Sequence, residues 1–100
     1  MAKKYTWEIK EPEWDEENDC ATGNEITHSV SLICSAVTGK AIITIDGDEF
    51  DISTKPFALR GTNQVFRLGS MAAIIDFPKH GDPDIVIDGK YVRSGKPYGA

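Results

Sequence analysis

From His28 onward, apolar and polar residues alternate with a period of two. That is the pattern of a strand with one face in a core and one in water. Val30, Leu32 and Cys34 alternate with Ser29, Ser31 and Ile33. Thr38-Gly39-Lys40 reads as a turn, after which Ala41, Ile43 and Ile45 share a face. Asp46-Gly47 follows at once, and Phe50 and Ile52 return on that same face. Asp-Gly between alternating apolar residues is a strong hairpin signal, because a type I′ turn needs positive φ at both central residues. A two-residue loop sets Ile45 opposite Asp48, Ile43 opposite Phe50 and Ala41 opposite Ile52. A slip of one residue would set Ile43 against an acidic side chain.

The same reading extends to both ends of the chain. Thr6–Ile9 predicts a short strand with Trp7 and Ile9 on one face, ended by Pro12. The first five residues are expected to fray. Phe57-Ala58-Leu59 predicts another strand, stopped by Gly61-Thr62-Asn63. Val65-Phe66-Arg67-Leu68 follows, and Gly69-Ser70 turns the chain into Met71–Phe77. Pro78–Pro83 is a loop, since its prolines and glycine oppose ladder pairing. A second hairpin, Asp84–Ile87 with Lys90–Arg93, closes through Asp88-Gly89. It sets Ile85 opposite Val92 and Val86 opposite Tyr91. No segment sustains a 3.6-residue period. The fold expected is all-β, a small antiparallel β-sandwich or partly closed barrel of about seven to eight short strands. Residues 1–100 are read as one such domain, with an acidic loop at 11–25 and a flexible tail at 94–100.

Charge changes this picture in one place. The chain carries a net charge of −5. Residues 11–19 hold Glu11, Glu13, Asp15, Glu16, Glu17 and Asp19 with no cation among them. An acidic chain is a poor match for nucleic acid or an anionic membrane, both of which call for a cationic face. No apolar stretch approaches the length that spans a bilayer, and Met1-Ala2-Lys3-Lys4 has no apolar run behind it. Cys20 and Cys34 lack CxxC spacing and read as reduced thiols, which places the expected location in the cytoplasm. A Cys20–Cys34 bridge is the other option.

Candidate chemistry is sparse. Asp15, Glu17 and Asp19 alternate as in a calcium loop, but the sixth and twelfth positions hold Cys20 and Ile26 rather than Gly and Glu. Cys20, His28, Cys34 and His80 could make a zinc set, yet no spacing matches a finger or ribbon. There is no G-x-S-x-G elbow, P-loop or G-x-G-x-x-G. His28 and His80 read as ordinary exposed histidines. Cys34 reads as a small core residue, and Asp46 and Asp88 as turn formers. No catalytic residue, metal or cofactor is therefore expected, and a metal-binding protein or small enzyme centred on His28, Cys34 and His80 is the third reading. What remains is recognition. Trp14, flanked by Asp15, Glu16, Glu17 and Asp19, has the make-up of a contact site for another protein with a basic surface. The plainer alternative folds Trp14 back as a lid on the sandwich. Aromatic and carboxylate together also suit carbohydrate stacking, with Tyr91 and Tyr98 as further candidates, in a sugar-binding or phage or bacterial structural module. Free strand edges suggest a weak homodimer as well.

The ordered turns carry a resemblance. Trp7, then Val30 and Leu32, then Gly39-Lys40 and Ile45-Asp46-Gly47 run in sequence. Phe57-Ala58-Leu59-Arg60-Gly61, Phe66-Arg67-Leu68-Gly69 and Ile87-Asp88-Gly89-Lys90 follow. In this order and spacing the chain resembles a single domain of the Fas apoptotic inhibitory molecule family. The resemblance implies a compact antiparallel β-sandwich that acts through protein contacts and has no catalytic residues. The family's proteins usually carry two tandem domains, and here there is one.

Overall fold

Backbone geometry bears out the turn chemistry. Asp46 and Gly47 have φ of 48° and 92°, and Asp88 and Gly89 have 52° and 74°. Both pairs thus occupy the left-handed region that a type I′ turn demands. Around them a computed structural model, describing residues 2–99, places eight antiparallel strands in two four-stranded sheets. One sheet runs in the order β1 (Lys3–Asp15), β2 (Cys20–Cys34), β3 (Ala41–Ile45) and β4 (Asp48–Asp51). The other runs β5 (Thr62–Leu68), β6 (Met71–Phe77), β7 (Asp84–Ile87) and β8 (Lys90–Tyr91). Every neighbour in each sheet is also the neighbour in sequence, so hairpins build the whole fold.

The registers predicted from the Asp-Gly turns are those observed. Ile43 pairs with Phe50, Ile45 with Asp48 and Val86 with Tyr91. Ile52 and Val92 continue the ladders by donating N–H bonds to Ala41 O and Ile85 O, at 2.9 and 2.8 Å. The inward rows of both sheets form one core, with Leu32, Leu68, Ile75, Ile85 and Val30 fully buried. Each such side chain contributes roughly 1.5–3 kcal/mol by leaving water. Gly39 carries φ of 75°, and a Cβ there would lie 2.6 Å from Thr54 O, so the turn before β3 accepts only glycine.

Several expectations need correction. Residues 11–25 are not a loop: all but the four-residue turn 16–19 lie in β1 and β2. Pro12 does not end a strand. It sits on an edge strand beside a register shift, where a missing N–H costs no ladder bond. β1 begins at Lys3, so residues 3–5 are paired rather than frayed, while Met1 lies outside the described residues. Phe57-Ala58-Leu59 is a turn in which Leu59 alone is buried, and Phe57, at φ 62°, is exposed. The tail through Gly99 returns along β8. Tyr91 and Tyr98 donate N–H bonds to Lys96 O and Gly89 O, and Gly95 donates to Tyr91 O. Ala100 lies outside the described residues.

Candidate functional site

β3 pairs with Val30–Cys34 of β2 and goes no further. Past the bonds that Ser29 and His28 make to Asp46, β1 and β2 pair only with each other and project as a two-stranded ribbon. Residues 20–27 are all exposed. Pro12 pairs with Glu25 and Trp14 with Ala21, so Glu13 alone faces Thr22, Gly23 and Asn24. Gly23 takes this irregularity at φ 89°. The tip closes on Asp15, whose Oδ1 accepts the N–H groups of Glu17 and Asn18 at 3.0 and 3.3 Å. Asn18 Nδ2 donates to its Oδ2 at 2.7 Å, and this bond holds the Asp15 carboxyl below its ordinary value.

The candidate contact residues therefore share one tip. Trp14 is 56% exposed, so it is not a lid on the core. Glu16, Glu17 and Asp19 are exposed in the turn, and Asp15 anchors it. Glu11 leaves the group, because its side chain is buried elsewhere.

That second place is a buried polar chain that the spacing along the sequence does not reveal. Trp7, Ile9 and Glu11 form one inward row, and His28, Val30 and Leu32 form another. The polar member at the end of each row is the available signal, since period two places both on the core side. His28, 6% exposed, is not an ordinary surface histidine. Its Nδ1 lies 2.7 Å from Asp46 Oδ2, and its Nε2 lies 3.1 Å from Glu11 Oε1. Asp46 Oδ1 accepts the Ser29 N–H at 2.8 Å. Glu11 Oε2 accepts the Ser70 N–H at 3.0 Å and the Ser70 hydroxyl as well. Four hairpin segments meet here, from both sheets.

Electrostatics follow from the geometry. The Asp46 hydrogen bond, then that of Glu11, raise the His28 pKa against the opposing effect of burial. Bonds from Ser70 and His28 hold Glu11 low, and the bond from His28 holds Asp46 low. A histidine donating from both nitrogens has no lone pair for a proton or a metal. The Ser70 hydroxyl donates to the Glu11 carboxylate and makes no bond to the imidazole. The arrangement ties the two sheets together in the order Asp46–His28–Glu11–Ser70, without the serine–imidazole contact of a hydrolytic triad. A Cβ on Gly69 would lie 2.8 Å from His28 Nε2 and closer still to Glu11 Oε1, so the turn must be glycine.

A second tie joins the sheets further along β1. Trp7 Nε1 donates to Asp84 Oδ1 at 3.1 Å, and the Tyr5 hydroxyl donates to Asp82 Oδ1 at 2.9 Å. Burial and that bond push the Tyr5 phenol up to about 12. The Arg93 guanidinium lies over both rings, 5.3 and 5.0 Å from their centroids. Tyr91 and Tyr98 meet edge to face at 5.7 Å on β8 and its following turn, not on the ribbon. Cys20 and Cys34, both free thiols, lie at opposite ends of β2. Among the described residues no three of His, Cys, Asp and Glu are grouped to hold a metal ion.

Fold and site together define an all-β, two-sheet protein with a projecting acidic ribbon. No family model, curated protein or solved structure matches the chain.

Proposed function

We propose that this is a non-enzymatic protein-interaction module whose ribbon tip engages a partner with a basic surface. One observation carries the reading. An exposed tryptophan stands on a projecting ribbon with Glu13, Asp15, Glu16, Glu17, Asp19 and Glu25 and no cation between residues 11 and 25. An exposed indole that the core does not use is available to a partner, and tryptophan is over-represented among residues that dominate binding energy. The surrounding carboxylates steer a cationic surface into contact. The resemblance to a Fas apoptotic inhibitory molecule domain supports the same class of role, and cytoplasmic location fits its reduced thiols.

The test is affinity capture on the immobilised protein, compared with the triple variant W14A/E16A/E17A. Partners that elute with about 0.5 M salt from the wild type should be lost from the variant, because screening and truncation remove the same interaction. Trp14→Ala alone should weaken a purified partner by about 2 kcal/mol, roughly 30-fold. Circular dichroism should not change, since none of the three side chains enters the core. Full retention of partners by the triple variant would overturn the reading. The same exposed ring also supports carbohydrate stacking. Saturable glycan binding that disappears in Trp14→Ala would favour that alternative.

A further inference from the structure

The two sheets expose four edge strands, and three of them are protected. β1 carries Lys3, Lys4, Glu8, Lys10, Glu11, Pro12 and Glu13 along its length. β4 is four residues long, and three of these are Asp48, Glu49 and Asp51. β8 has two residues, and the tail covers it through a bridge from Lys90 to Pro97. Charge, proline, shortness and cover are the devices by which sheets prevent further pairing. β5 has only a single charge, Arg67. It runs seven residues, Thr-Asn-Gln-Val-Phe-Arg-Leu, with no proline.

Its hydrogen-bonding groups are laid out for a partner. Leu68 pairs with Met71 across the two-residue turn Gly69-Ser70, so these two exchange bonds. Alternation then directs the N–H and C=O groups of Phe66 and Gln64 to β6, while at the start of the strand the Thr62 N–H turns back to Leu59 O at 3.3 Å. Those of Asn63, Val65 and Arg67 point away from the sheet. Val65 is 72% exposed in the middle of this row.

The space beside β5 has a shape and a charge. A cleft of about 480 Å³ opens between β4 and β5, lined by Ile45, Phe50, Ile52 and Phe66, with two carboxylates, Asp46 and Asp48, against one cation, Arg67. Phe50 pairs with Ile43 and so points to the core side, yet it is 50% exposed, because it faces this open cleft. The chain Asp46–His28–Glu11–Ser70 fixes which ends meet: the Asp48 end of β4 lies by the Leu68 end of β5. A strand added antiparallel to β5 therefore runs in the same direction as β4. Its cleft-facing residues pass Asp48, Phe50 and Ile52 in turn.

We propose that β5 takes up an extended segment of another protein as a ninth strand. In that segment a Lys or Arg faces Asp48, and an apolar residue two positions later faces Phe50. Charge complementarity selects this occupant over a second copy. Self-pairing through β5 would bring two copies of β4, each with Asp48, Glu49 and Asp51, towards one another. The main-chain bonds supply affinity and the alternating pockets supply the motif, as in other strand-addition complexes. The surface is separate from the ribbon, which contributes nothing to the cleft.

The probe is the capped heptapeptide Thr-Lys-Thr-Val-Thr-Val-Thr, titrated into the 15N-labelled protein to millimolar concentration. Shifts should centre on the amides of Asn63, Val65 and Arg67. Glu in place of the peptide Lys should weaken binding at least tenfold, and Asp48→Lys should reverse that preference. Val65→Pro, which removes the central donor, should abolish the shifts, while W14A/E16A/E17A should leave them unchanged. N-methylation of the peptide at its bonding positions should abolish binding as well. The proposal fails if β5 shows no shifts, or if the N-methylated peptide binds equally. It fails too if the same amides shift with protein concentration alone and sedimentation gives a dimer mass, since the occupant is then a second copy.

Discussion

Both ring nitrogens of His28 lie within hydrogen-bonding distance of carboxylates, Glu11 on β1 and Asp46 in the β3–β4 turn, and the protonated ring donates to both, which sets a pH dependence. Its folded pKa is raised above the ordinary 6.5, so its stabilisation is complete below that value and is lost as pH climbs through the folded value. Glu11 and Asp46 have folded values below the ordinary 4.5 and 3.8, so theirs is complete above those values and is lost as pH falls. Their combined contribution should peak between about pH 4.5 and 6.5. Urea midpoints across pH should show that maximum in the wild type and lose its alkaline limb in His28→Gln. A midpoint flat through neutrality in the wild type would contradict the geometry. Gly69→Ala should destabilise by about 2–4 kcal/mol, because strain at φ 65° adds to a clash with Glu11 and His28. Thermal melts of that variant check it.

Strand pairing differs sharply along the β1–β2 hairpin. Residues 30–34 have a ladder on both sides and bury Val30 and Leu32, whereas residues 20–27 have one ladder and bury nothing. Local opening needs far less free energy where fewer apolar contacts break. Amides paired within residues 20–26 should therefore exchange about a thousandfold or more faster than those of Val30 and Leu32, which native-state hydrogen exchange measures directly. Equal protection along β2 would mean that something other than the second ladder holds the ribbon. The ribbon was not legible because period-two patterning records burial, and neither of its faces meets a core. By contrast, Ile43–Phe50 and Val86–Tyr91 were legible, since an Asp-Gly turn and an inward apolar row fix register together.

At the scale of the molecule, β1 fastens one sheet to the other at two places. Glu11 reaches Ser70 near one end, and Trp7 with Tyr5 reaches Asp84 and Asp82 towards the other. Removing the Trp7 donor takes one of three hydrogen bonds from the buried Asp84 carboxylate, which keeps the N–H groups of Ile85 and Arg93 at 2.8 and 3.2 Å. Trp7→Phe should cost about 1–3 kcal/mol in urea denaturation with an unchanged m-value. A loss under about 0.5 kcal/mol would show that the indole N–H is dispensable. The core itself joins inward rows from both sheets, and its members follow from alternation alone.

Local chemistry was sufficient for the all-β class, both type I′ turns and the rows that form the core. Turn geometry and side-chain period act over a few residues, so they are written in the order of the chain. Tertiary structure decided which polar groups meet. Glu11, His28, Asp46 and Ser70 lie far apart in sequence, and only the stacking of two sheets brings them within hydrogen-bonding distance. It also decided which surfaces stay free. Trp14 is exposed because β3 ends before reaching it, and β5 is an open edge because no further strand follows it in the sheet. Whether a strand has a neighbour is a property of the assembled sheet rather than of the strand's own residues.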